Sequence, residues 1–134
     1  DVSGLTQFQV GFRKAQAYQA TFADYTDYAT LGWDASANPV VIDSMTQLND
    51  AGTTTATSTG VTLADATTIT LEVRVKKNGV VQYFVNGVLK EPAAFTFDSA
   101  DTIVPFIRYL DHTDTPTSIP LRELTCGLQE ANVR

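Results

Sequence analysis

The chain is poor in the side chains that build metal centres and disulfides. Its 134 residues include one cysteine and one histidine. A single cysteine excludes an internal disulfide framework and a cysteine-based zinc cluster, and a single histidine excludes a multi-histidine metal site. Basic residues are also scarce, with nine Lys and Arg against fifteen Asp and Glu, for a net charge of −6. This balance argues against nucleic-acid or anionic-membrane partners, because both are bound through clustered Lys and Arg.

Long hydrophobic runs are absent as well. No apolar stretch approaches the roughly 20 residues that a membrane-spanning helix needs. The first residues lack the basic and apolar regions of a signal peptide. The chain begins with Asp1 rather than Met, so we expect a processed product or a piece of a longer polypeptide. Its length fits a single domain over residues 1–134, with the tail after about Gln129 as a connector.

Threonine is what the chain has in abundance. There are twenty threonines but four lysines and four glutamates. Threonine is β-branched, favours strands and is polar enough for a solvated strand face. The 43% hydrophobic and 18% charged fractions are typical of a globular domain. The composition therefore predicts a folded, strand-rich protein.

The clearest predicted element is a three-stranded meander. Over Thr68–Lys77, apolar residues alternate strictly with polar ones, which is the period of a half-buried antiparallel strand. Asn78-Gly79 then provides a strong hairpin signal. A second strand over Val80–Val85 and a third beginning at Val88-Leu89 complete the meander.

The register of the first hairpin has two solutions. A two-residue loop at Asn78-Gly79 places Phe84 on the core face. A three-residue loop over Asn78–Val80, with a glycine bulge, places Val81, Tyr83 and Val85 there instead. The second solution buries three apolar residues rather than one, and we favour it.

The remaining predicted strands are shorter or less regular. They cover Leu5–Arg13, Tyr28–Trp33, Pro39–Ile42, Ile103–Leu110 and Ile119–Leu128, the last with a bulge near Arg122-Glu123. Thr53–Val61, which is nearly all Thr, Ala, Ser and Gly, could be an exposed strand or a loose loop. Phe12–Ala20 and Met45–Ala51 are the segments that could form a helical turn or two. Eight or more short strands without intervening helices predict an all-β antiparallel sandwich or barrel.

Several of these segments together resemble the concanavalin A-like, or laminin-G-like, jelly-roll superfamily. The segments are Gln9–Arg13, Tyr28–Asp34, the Ile69–Leu89 hairpin region and the Ile103–Leu110 strand with its Pro-Phe-Ile sequence. Asn86 stands where that family commonly has Asp, a change that turn chemistry tolerates. The resemblance spans about Leu5 to Leu128 and implies a two-sheet, antiparallel jelly-roll β-sandwich.

The acidic, Thr- and Ala-rich composition is most similar to the bacteriophage head and tail proteins of that superfamily. This similarity implies a non-enzymatic virion structural protein without a cofactor, such as a capsid decoration (cement) protein or a head or tail surface module. Its expected partners are other virion proteins, such as the major capsid protein, in a homo-oligomer or symmetric array. The alternative is a glycan-binding, lectin-like adhesion module, with calcium assisting.

Candidate catalytic residues are few. Retaining glycosidases with this fold use a Glu-x-Asp-x-x-Glu triplet that brings two carboxylates close together. None of the four glutamates stands in such a triplet, and Glu72 is predicted on a solvated strand face. His112 has Ser118 nearby in sequence but no surrounding nucleophile motif, so we interpret it as a loop histidine.

Candidate binding residues fall into two groups. Asp111 and Asp114, with a distant acid such as Asp34, could form a calcium rim, although a simple polar loop is the favoured interpretation. Tyr18 and Tyr25 could stack on a glycan or contact a protein partner.

Several other residues are predicted to be structural. Tyr28 and Trp33 are expected in the core with their polar tips satisfied, and Cys126 as a small core side chain. The cluster of Arg74, Lys76 and Lys77 is expected to pair with an acidic neighbour.

Overall fold

The computed structural model describes residues 5–34, 40–49, 54–111 and 122–127. Within them the chain is all-β, with one short 3₁₀ helix at Phe22–Asp24. The strands are β1 Leu5–Lys14, β2 Tyr28–Trp33, β3 Val40–Gln47, β4 Thr55–Leu63, β5 Leu71–Val75, β6 Val81–Val85, β7 Val88–Lys90 and β8 Ile103–Asp111. No helix in these ranges is long and apolar enough to cross a membrane.

The strands form two antiparallel sheets. One has five strands in the order β4-β3-β2-β1-β8, and the other has three in the order β5-β6-β7. Strand β1 lies between β2 and β8, so the beginning of the described chain is tied to its last strand. The prediction of an all-β, antiparallel two-sheet architecture is confirmed.

The alternation along β1 assigns the faces of the five-stranded sheet. Phe8, Val10 and Phe12 pack against the core shared with the three-stranded sheet. Gln7 and Gln9 belong to the opposite face, because successive side chains of a strand point to opposite sides. The buried members of the shared core are Ala29, Leu31, Trp33, Val40, Ile42, Leu63, Val81, Tyr83, Val85, Phe95 and Phe97.

A second apolar cluster covers the opposite face of the same sheet. The segment between β1 and β2 contributes Phe22 and Tyr25, which pack with Tyr28, Met45 and Phe106. The Phe22 and Tyr28 ring centroids are 4.3 Å apart, and those of Tyr25 and Phe106 are 5.2 Å apart. Strand β2 is buried along its whole length because both faces of the sheet are covered there.

The hairpin between β5 and β6 buries the side chains that we expected on its core face, but its loop is shifted by one residue. Val75 pairs with Val81 and Val73 with Tyr83, so Val81, Tyr83 and Val85 are buried as predicted. The Lys76 N–H donates to the Val80 carbonyl at 2.9 Å. The loop therefore covers residues 77–79, one position earlier than predicted, and Gly79 takes its positive φ of 81°.

Neither of the two segments that could form a helical turn does so among the described residues. Phe12 and Lys14 continue β1, and Met45 and Gln47 continue β3. These segments pair with neighbouring strands, and backbone pairing within a sheet outweighs weak local helical preference. The 3₁₀ helix forms instead at Phe22–Asp24.

The predicted last strand differs too. Residues 122–127 contain no strand, and Cys126 is exposed rather than in the core. Because these residues form no strand, the alternation of apolar residues around Cys126 does not direct its side chain toward a core. The rest of Ile119–Leu128, and the tail after Gln129, lie outside the described residues.

We expect Gly11→Ala to destabilise the fold. A Cβ at Gly11 would lie 2.3 Å from the Ala29 carbonyl oxygen and 2.8 Å from Thr30 Cα. Both atoms belong to the backbone of the adjacent strand β2, so the clash can be relieved only if the two strands move apart. Overpacking of this kind costs about 1–3 kcal/mol. Urea unfolding should show a lower midpoint with an unchanged slope.

Gly127→Ala is the matched control, since nothing lies within 4 Å of its Cβ position. It should leave the midpoint unchanged. Equal midpoints for the two variants would show that the close approach of β1 to β2 is not a constraint on stability.

Candidate functional site

The two tyrosines proposed as contact residues lie in opposite environments. Tyr18 is 79% exposed, whereas Tyr25 is 2% exposed. Tyr25 packs edge-on against Phe106, and the Arg13 guanidinium lies 4.7 Å from the Tyr25 ring centroid. The expected exposure of Tyr25 is wrong because its ring fills the second apolar cluster. Tyr18 remains accessible to a ligand or a partner.

Tyr28 and Trp33 are in the core, as predicted. The Tyr28 hydroxyl donates to Gln47 Oε1 at 3.1 Å, which satisfies its polar tip. The Trp33 ring stacks on Phe8 with centroids 5.1 Å apart. Its Nε1, in contrast, is buried without a hydrogen-bond partner. A ring so enclosed is a core element and not a sugar-stacking platform.

The proposed calcium rim lies largely beyond the described residues. Asp111 ends β8, but its side chain is not described, and Asp114, His112 and Ser118 lie outside. The Asp34 Oδ1 accepts a hydrogen bond from Gln7 Nε2 at 2.9 Å. Within the described part of the chain, no group of three or more Asp, Glu, His or Cys residues could hold a metal ion. The calcium rim therefore stays a prediction.

Arg74 pairs with an acidic neighbour, as predicted. Its Nε lies 2.5 Å from Glu72 Oε1, and its Nη2 donates to Glu72 Oε2 at 3.1 Å. The same guanidinium lies 4.2 Å from the centroid of the Phe84 ring. Both charged side chains are about two-fifths exposed, so the pair contributes little stability. Glu72 is thus engaged in a surface ion pair.

A buried charge cluster that sequence reasoning missed joins three parts of the chain. Lys14 Nζ lies 2.5 Å from Asp101 Oδ1 and 3.5 Å from Asp27 Oδ2. The two carboxylate side chains are only 3% and 1% exposed. We call Lys14, Asp27 and Asp101 the Lys14 cluster. It ties the end of β1 to the residue before β2 and to the turn before β8. No sequence motif links these distant residues.

The pKa values in the Lys14 cluster follow from its contacts. The hydrogen bond to Asp101 raises the pKa of Lys14 against the opposing effect of burial, and the charges of Asp27 and Asp101 add to it. Burial alone raises the pKa of Asp27. The Asn49 N–H, the Thr26 hydroxyl and Lys14 together outweigh burial, so the net pKa of Asp27 lies below its usual 3.8.

A cleft of about 440 Å³ opens beside the Lys14 cluster. Its lining residues are Lys14, Ala15, Gln16, Thr26, Asp27 and Asn49. The Gln16 Oε1 accepts from the Thr26 N–H and hydroxyl, both at 3.0 Å. Asp27 Oδ2 and Asp101 Oδ2 are shielded from solvent. Because these oxygens do not face the cleft's solvent, the cluster is suited to cross-linking chain segments and poorly suited to attacking a substrate.

The outer edge of β4 is the most distinctive surface among the described residues. All nine residues, Thr55–Leu63, are uncharged, and among the described strands β4 pairs with β3 alone. Natural edge strands usually carry Lys, Pro or inward charges that prevent further pairing. The described part of β4 has one such device, a bulge where Ile42 pairs with Val61 and Asp43 with Ser58.

The direction of the β4 backbone groups follows from the sheet registers. Hydrogen-bonded and non-hydrogen-bonded pairs alternate along antiparallel strands. The Lys14 N–H donates to the Asp27 carbonyl, which sets the alternation between β1 and β2. The same alternation can be followed through the β2–β3 and β3–β4 registers. It places the backbone N–H and carbonyl groups of Ala56 and Ser58 on the side of β4 that faces away from β3.

Removing the Lys14 ammonium should shift the acid stability of the fold. In the wild type, the lowered pKa of Asp27 adds stability that is complete above the unfolded pKa and lost as pH falls through the folded pKa. In Lys14→Met, burial of Asp27 persists without the cation. Its pKa should rise, and stability should be lost from a higher pH downward. Urea midpoints between pH 2 and 8 measure this.

Lys77→Met is the control, since Lys77 is exposed and its loss changes the net charge equally. It should keep the wild-type pH profile. Coinciding profiles for both variants and the wild type would contradict a role of Lys14 in holding Asp27 ionised.

Comparison with known proteins does not assign this chain to a family. No family model, no curated protein and no solved structure matches this chain. Its function is therefore inferred from its own residues and geometry.

Proposed function

We propose that the protein is a non-enzymatic structural module, a jelly-roll β-sandwich on the surface of a virus particle. It binds neighbouring capsid or tail subunits there, as a decoration protein or as part of a larger head or tail protein. The all-β fold with two antiparallel sheets is compatible with this role. The observation that carries the proposal is the uncharged edge of β4, which has no partner strand among the described residues.

The β4 edge suits docking on a protein. Burying unpaired charge is costly, and this strand has no charge to bury. The outward backbone groups of Ala56 and Ser58 can accept and donate hydrogen bonds to an added strand, which is a recurring mode of protein recognition. A sheet edge without charged side chains is therefore an interface candidate.

The arrangement of ionisable groups favours docking over catalysis. The buried carboxylates of Asp27 and Asp101 are held by Lys14, and the Oδ2 atom of each is shielded from solvent. Glu72 is engaged by Arg74. A general acid or base has to reach its substrate within hydrogen-bond distance, and none of these groups is placed to do so.

The proposed mechanism is stabilisation by mass action. A module that binds the assembled lattice but not its dissociated subunits stabilises the lattice by an amount that grows with occupancy. Small contacts repeated over a symmetric particle add through their high effective concentration. Cementing therefore needs no single strong interface.

Particles lacking this chain should lose thermal and osmotic resistance. Adding back the wild-type protein should restore it, because bound modules stabilise the lattice. Adding Ala56→Lys should restore it less, since a lysine at a sheet edge opposes pairing. Light scattering and genome-release assays during heating measure the difference.

Ala94→Lys provides the matched control, because Ala94 is exposed and lies outside the five-stranded sheet. It should restore resistance as fully as the wild type. Unchanged resistance of particles without the chain would refute the cementing role.

Glycan binding is a second candidate, favoured by Tyr18. Tyr18 is 79% exposed, and it lies two residues after Gln16, which lines the cleft beside the Lys14 cluster. Aromatic rings stack on sugars while amide groups bond their hydroxyls. A glycan array probed with and without calcium should give signals that Tyr18→Ala abolishes. Silence in both conditions would eliminate this candidate.

A further inference from the structure

We propose that the β4 edge pairs with β4 of a second copy of this chain, antiparallel and about a twofold axis at Thr57. This inference rests on the docking role proposed for the same edge, and it names the neighbouring subunit that the edge binds as another copy of this chain. The pairing would join two five-stranded sheets into one continuous sheet. The supporting observations are the backbone directions, side-chain sizes and charges along Thr55–Ser58.

The backbone geometry is self-complementary. The outward groups belong to Ala56 and Ser58, which stand symmetrically about Thr57. In an antiparallel pair centred on Thr57, Ala56 lies opposite Ser58 of the second copy, and both are in the hydrogen-bonding phase. The twofold axis repeats the exchange, so every outward N–H and carbonyl of these two residues is satisfied.

The side chains fit the same register. Thr57 faces Thr57 of the second copy in a non-hydrogen-bonded pair, where side chains approach closely. Threonine pairs at such positions are favourable. Ala56 and Ser58 are small, exposed side chains on the other face, so neither obstructs the approach. Binding of a foreign peptide to a sheet edge gains its specificity from pockets for the peptide's side chains. The small side chains of Ala56 and Ser58 form no such pocket.

Charge favours a second copy as well. The chain carries a net −6, yet β4 has no charged residue, so identical edges meet without direct repulsion. The acid nearest the register is Asp43, which pairs with Ser58 from β3. Two Asp43 side chains would lie three strand spacings apart across the sheet, about 14 Å, and would be offset further along the strands. This exceeds the Debye length of about 8 Å at physiological ionic strength.

The extent of the pairing is set by the bulge. Gly60 has a φ of 71°, and its N–H donates to Ser58 Oγ at 3.0 Å. The regular edge therefore ends at Ser58. A contact this short buries well under the roughly 800 Å² per partner of a standard interface, so we expect a dissociation constant between about 10 μM and 1 mM. A twofold contact consumes the edge and closes at the dimer.

Sedimentation equilibrium over the range of about 10 μM to 1 mM tests the proposal. The wild type should show a monomer–dimer equilibrium. Ala56→Pro removes an outward N–H without breaking a bond to β3, and Ala56→Lys adds an edge charge. Both should weaken dimerisation at least tenfold, whereas Ala94→Lys should not. Circular dichroism and melting curves verify that each variant folds.

Cross-linking gives an independent measurement of the register. Thr57→Cys is made together with Cys126→Ser, so that Thr57→Cys supplies the chain's one thiol. Mild oxidation should yield a covalent dimer, because residues facing each other across the axis lie within disulfide reach. Thr62→Cys in the same background, beyond the bulge, should cross-link far more slowly.

The outcomes separate the two proposals. A wild type that stays monomeric at 1 mM, or a dimer that survives Ala56→Pro and does not cross-link through Thr57→Cys, overturns the self-pairing. A monomeric chain that still protects particles would leave the docking role intact with a different partner at the edge. A dimer that confers no protection would instead count against the docking role.

Discussion

The pairing of β1 with both β2 and β8 is the constraint on which the rest of the structure depends. This strand carries Phe8, Val10 and Phe12 on one face and Gln7 and Gln9 on the other. One face supplies the core shared with the three-stranded sheet. The segment between β1 and β2 packs against the other face. Shifting β1 by one residue would exchange the two faces and leave both cores incomplete.

The two glutamines on the polar face of β1 can be buried because their amide groups are hydrogen-bonded within the protein. Gln9 is fully buried, donates from Nε2 to the Trp33 carbonyl and accepts from the Thr30 hydroxyl. The Arg108 guanidinium bonds Gln7 and the Ala20 carbonyl, which fastens the covering segment to the sheet. Such a network lets polar strand residues lie inside a protein, since buried polar groups cost little once they are paired.

The same internal pairing bears on function. Lys14 bridges Asp27 and Asp101 and so holds three segments of the chain together. The backbone at the outer edge of β4 has no partner strand among the described residues, and backbone at a sheet edge recognises other strands. These free backbone groups are the basis of the docking role proposed above.

Local sequence signals determined the strands and much of their facing. Strand β2 has the predicted bounds Tyr28–Trp33, and the burial of Val81, Tyr83 and Val85 followed from alternation alone. Period-two patterning works because a strand's faces are set by neighbours along the chain. The sequence could not place Tyr25, Cys126 or the Lys14 cluster, nor reveal that Gln9 is buried. Those depend on which distant segment covers which face, and only the tertiary structure decides that.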